Sequence, residues 1–144
     1  MNISKHISIS FTLGLFMPNY TAAVVMGLVS HAILDLLPQR QYKINLFRPG
    51  EDKDILVVEI AISAILLYLS LTSYNWVLIA TILAGISPDI IDGILAILNN
   101  QRYEQGEHLF WFHKPNNSTQ RTKLQSVILS IILFLTAITI MHIL

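Results

Sequence analysis

From Leu124 to Leu144 the chain runs for 21 residues without an aspartate, glutamate, lysine or arginine. As an α-helix this stretch is about 31 Å long, roughly the thickness of a bilayer's hydrocarbon core. A helix packed on a water-soluble core normally keeps one polar face. Here only Gln125, scattered Ser and Thr and one His interrupt the apolar residues. Four earlier segments are similar but carry polar groups. Ile55 to Leu71 contains Glu59, Trp76 to Leu98 contains Asp89 and Asp92, and Tyr20 to Leu37 contains His31 and Asp35. The first, Ile7 to Met17, is short and is interrupted by Ser8, Ser10 and Thr12. The expectation is an all-α fold: an integral membrane bundle of about five helices forming a single domain over residues 1–144, its first helix an incomplete crossing. The alternatives are a cleaved signal peptide over the first 20 residues and a soluble helical bundle.

Turn signals separate the segments. Pro18-Asn19 divides the first two, Pro38 closes the second, and Thr72 to Asn75 leads into Trp76, an interfacial anchor. The long connections are Gln39 to Asp54 and Asn99 to Lys123. The second mixes Tyr103, Phe110, Trp111 and Phe112 with Glu104, Glu107, His108 and His113, as expected of an amphipathic stretch at headgroup level. With five crossings all nine basic residues fall on one side. The positive-inside rule makes that side cytoplasmic, so the expected placement is multi-pass in a bacterial inner membrane with the N-terminus in the cytoplasm.

Charged residues are 12% of the chain, about half the usual share, which excludes a disordered chain. Nine basic and nine acidic residues cancel, and no basic helix interleaved with aromatics is present, so a nucleic-acid partner is not expected. Membrane lipids are the expected surroundings, and a homo-oligomer is compatible with the sequence. There is no cysteine, so a metal site would have to use His, Asp or Glu.

An acid near the middle of a spanning helix costs about 2.5–3.5 kcal/mol on insertion scales. His31 and Asp35 are four residues apart and share a helix face; Asp89 and Asp92, three apart, share another. Glu59 lies near the start of its segment and His6 near the start of the chain. With the expected orientation all of them fall in the cytoplasmic half of the membrane, where His108 and His113 could fold over them. A divalent cation would neutralise such a cluster. Carboxylate and imidazole suit zinc foremost, with manganese or iron as alternatives. The candidate ligands are His6, His31, Asp35, Asp89, Asp92, His108 and His113, with Asp92 or Glu59 as general base. Glu59 could otherwise snorkel, or pair with Lys43 or Lys53. His142, at the opposite face, is read as structural. Pro88 should kink or break its helix. Gly27 precedes His31 by four residues, as Gly85 precedes Asp89, a hint of internal repetition.

The runs SKHIS with His6, SHAILDLLP with His31 and Asp35, GISPDIID with Asp89 and Asp92, and EHLFWFH with His108 and His113 cover most of the chain in order. In these the chain resembles small bacterial inner-membrane proteins classed as metal-dependent hydrolases, distantly similar to zinc-dependent phospholipase C. The chain departs from that pattern with Gln39 where many members carry His, and it lacks their Arg beside a later His. The resemblance implies a metal site and hydrolysis of a lipid or phosphoester. Two other readings of the residues remain: a small ion-coupled transporter, whose intramembrane acids would flank a Pro-broken helix, and a non-catalytic membrane subunit in which the polar cluster only fixes packing.

Overall fold

A computed structural model describes residues 3–36, 53–98 and 123–144. They form five helices: α1 (Ile3–Gly14), α2 (Tyr20–Leu36), α3 (Lys53–Thr72), α4 (Trp76–Leu98) and α5 (Lys123–Ile143). The described residues contain no strand. Both long connections, with His108 and His113, lie outside them.

The helix boundaries follow from local chemistry. Asn19 and Asn75 are N-caps: the side-chain Oδ1 of each accepts the backbone N–H three residues on, Ala22 at 3.0 Å and Leu78 at 3.1 Å. Such a cap is worth about 1 kcal/mol. Tyr74, with φ 51°, lets the chain leave α3 and enter α4 within a few residues. Many hydroxyls of the apolar helices are satisfied on their own helix, as with Thr81 on the Val77 carbonyl and Thr136 on that of Ile132. That is how such residues sit in apolar surroundings without an unpaired group.

Two expectations about the helices are corrected. The first helix begins at Ile3 and ends at Gly14, four residues earlier at its start than the apolar pattern alone indicated. Lys5 and His6 look like flanking polar residues, but burial against other helices makes them helical. The second concerns Pro88, expected to kink or break its helix: it does not break it, as α4 continues from Trp76 to Leu98. Proline cannot supply the N–H that the Ala84 carbonyl would otherwise receive, and the Ser87 hydroxyl donates to that carbonyl at 3.0 Å.

Helix α1 is the centre. It packs against each of the other four helices, and α2 packs along α4. Ile7 and Phe11 of α1 join Ile62 and Leu66 of α3, Leu78 and Ile82 of α4, and Ala137 of α5 in one apolar core. This central place means that the first segment packs as part of the bundle. Ser4, Lys5, His6, Ser8 and Ser10 are also buried, so the middle of the molecule is unusually polar at one end. The outside is the reverse: Val25 and Ile33 of α2, Val57 and Tyr68 of α3, and Ile132 and Leu135 of α5 are exposed.

Two stretches, Ile55–Thr72 and Leu124–Ile143, are long and apolar enough to cross a membrane. Core helices of soluble proteins can also meet that criterion, but they are mostly buried. Only 33% and 17% of the residues in these stretches are buried.

Candidate metal centre

The polar site lies where α1, α2 and α4 meet. Its geometry starts with two glycines. A methyl group on Gly27 would strike the backbone oxygen of Thr81 and come within 2.9 Å of the Gly85 nitrogen. One on Gly85 would strike the Ser10 hydroxyl. Without side chains at these positions α2 and α4 cross nearly backbone to backbone, as small residues allow between apolar helices. One turn beyond the crossing, on the same faces, come His31 and Asp89. The repeated four-residue spacing in the sequence is therefore the geometry of this crossing.

His31 is fully buried, and its Nδ1 lies 2.6 Å from the carbonyl oxygen of Gly85. A carbonyl can only accept, so Nδ1 carries the hydrogen. The other nitrogen, Nε2, lies 3.1 Å from Oδ2 of Asp35, and Nε2 of His6 lies 3.2 Å from Oδ1 of the same carboxylate. Asp35 thus spans two imidazoles whose rings stack with centroids 4.2 Å apart and planes 25° from parallel. The second nitrogen of His6, Nδ1, is buried with no hydrogen-bond partner among the described residues. Donor atoms of His6, His31 and Asp89 all lie within 4.8 Å of one another.

This donor set fits a divalent cation. Metal-bound imidazoles usually donate their other N–H to a carbonyl or carboxylate, which fixes the tautomer, and His31 does so to Gly85. A tetrahedral zinc with bonds near 2.0–2.1 Å needs donors roughly 3.3 Å apart, within reach of modest side-chain rotation. Two imidazoles with Asp35 and Asp89 would be a nitrogen–oxygen shell open to zinc, manganese or iron.

The expected residues divide as follows. His6, His31, Asp35 and Asp89 come together from three helices. Asp92, one turn beyond Asp89, is buried but is not one of the three whose donors meet. Glu59 is engaged at the start of α1: Oε2 accepts the Ser4 N–H at 3.2 Å and Oε1 the Ser130 hydroxyl at 3.0 Å. His142 is exposed near the far end of α5. His108 and His113 lie outside the described residues. The Gly85 carbonyl and the partners of Glu59 carried no strong sequence signal, although Ser126 and Ser130 stand one turn apart in an apolar run. No known family, curated protein or solved structure matches the chain.

Proposed function

We propose that the chain is an integral membrane bundle that holds a divalent metal ion, with zinc the foremost candidate, and hydrolyses a lipid or other phosphoester at the cytoplasmic membrane face. One observation carries the reading: donors from His6, His31 and Asp89 converge within 4.8 Å while Asp35 bridges the two imidazoles. Membrane placement is supported by the exposed apolar surfaces of α2, α3 and α5 and by the length of the last helix. Contiguous apolar surface on that scale is costly in water and ordinary in lipid. Orientation rests on the basic residues, which five crossings would gather at the end where α1, α3 and α5 begin.

When bound, the ion would supply Lewis acidity and lower the pKa of water at neutral pH. The residues would do the rest. His6, His31, Asp35 and Asp89 would offer donors, and the other oxygen of Asp35 would orient the His6 ring. His31 would be held in one tautomer by Gly85, and Asp92 would receive the proton of the attacking water. Glu59, with both carboxylate oxygens engaged elsewhere, is not given that role.

The test is elemental analysis of the full chain purified in detergent, followed by hydrolysis of phospholipid and of a chromogenic phosphodiester. We expect about one equivalent of metal, lost in Asp89→Asn and His6→Ala together with hydrolysis. Protein free of metal after growth and purification in zinc-, manganese- and iron-supplemented media would overturn the reading. Metal without hydrolysis, but with cation flux into proteoliposomes, would replace the hydrolase with a carrier.

A further inference from the structure

A second buried polar group lies on the other side of α1. Lys5 and Glu59 are each only 4% exposed. The Lys5 ammonium donates to the Ser126 hydroxyl at 2.7 Å. Ser130, one turn along α5, is within bonding distance of both the Ser126 carbonyl at 3.1 Å and Glu59 Oε1 at 3.0 Å. Glu59 Oε2 in turn accepts the N–H of Ser4, the residue beside Lys5. The circuit closes on itself through α1, α3 and α5.

The first turn of α1 is therefore gripped from one side. At 100° per residue, His6 projects well away from Ser4 and on from Lys5, toward α2, where it meets His31 and Asp35. A rotation or slide of α1 that loosened the circuit would move His6 by the same rotation.

We propose that Glu59 is a positioning residue for the metal centre. With Lys5, Ser126 and Ser130 it sets the rotation and depth of α1 so that His6 is presented to His31, Asp35 and Asp89. The proposal rests on the metal reading of that cluster. The two members carry opposite formal charges and are buried together, so removing one strands the other in apolar surroundings. Removing both as Lys5→Met with Glu59→Gln keeps the balance.

The experiment titrates cobalt(II) into the full chain in lipid nanodiscs, reading affinity and the visible absorption that reports coordination geometry. Helicity by circular dichroism is the folding control. Glu59→Gln should weaken cobalt binding about 10- to 100-fold, the usual range for groups that orient ligands, and change the absorption. The milder Ser130→Ala should shift both readouts in the same direction, and the balanced pair Lys5→Met with Glu59→Gln, which strands no charge but loses the grip, should still bind cobalt more weakly than the parent. In a His6→Ala background, Glu59→Gln should add almost nothing, because it acts through His6. Parent-like spectrum and affinity in both Glu59→Gln and Ser130→Ala would overturn the positioning role, as would a full additional loss on top of His6→Ala. If the parent itself binds no cobalt, or His6→Ala binds as the parent does, the metal reading fails first and the positioning role falls with it.

Discussion

Gly27 and Gly85 sit at the same crossing, yet they should not tolerate a methyl group equally. At Gly85 the added carbon meets the Ser10 side chain, which can rotate. At Gly27 it meets the backbone of α4 at Thr81 and Gly85, which cannot. Gly27→Ala should therefore push α2 off α4 and cost about 1–3 kcal/mol as overpacking, with Gly85→Ala the milder change. Reversible unfolding in mixed micelles compares them; equal stability of both variants with the parent would remove the close crossing. Asp35→Asn addresses the other side of His31. It keeps the shape but weakens the acceptor of the His6 ring and removes a charged oxygen beside His31 Nε2, so metal affinity should fall about 10- to 100-fold. Titration with zinc measures this, and an unchanged affinity would mean that Asp35 serves packing alone. At this scale much of the site was legible. His31 with Asp35, and Asp89, were visible because acids in apolar runs demand partners and helical spacing says which face they share. The tautomer of His31 was not, because it depends on a backbone carbonyl 54 residues away.

In α4 the pair Ser87-Pro88 shows how a helix survives proline. The hydroxyl of Ser87 takes the carbonyl of Ala84 that proline leaves without a donor. Ser87→Ala should cost about 1 kcal/mol, the scale of one hydrogen bond. In a Pro88→Ala background the same change should cost close to nothing, since residue 88 then supplies the N–H. A double-mutant cycle on unfolding free energy checks the coupling, and equal costs in both backgrounds would refute it. The sequence marked Pro88 as a kink or break because proline's defect is local and obvious. Its repair depends on the rotamer of the preceding side chain, which a pattern of residue types does not contain. The same blindness moved the start of α1: a lysine and a histidine at the edge of an apolar run resemble solvent-facing residues until other helices are seen around them.

For the molecule as a whole, the apolar exterior and the long helices imply that the chain stays with the lipid pellet after alkaline carbonate extraction. Release into the supernatant would contradict the bundle proposed for the membrane. Because the chain has no cysteine, Tyr74→Cys in the exposed turn between α3 and α4 reports sidedness. A membrane-impermeant maleimide should label it in intact cells; labelling only after lysis would invert the proposed orientation. Five helices and nearly all their limits were legible because length and apolar runs define them. Their arrangement was not, since apolar residues on every side of a helix do not say which side meets protein and which meets lipid.

The bond between Lys5 and Ser126 joins positions 121 residues apart. The segment at the middle of the bundle is thus synthesised before its neighbours on α3 and α5, which do not yet exist when it emerges. Assembly must finish around α1, an earlier, polar stretch waiting for its last walls. Loss of α5 should therefore leave this protein without a settled interior, and not merely shorter by one helix.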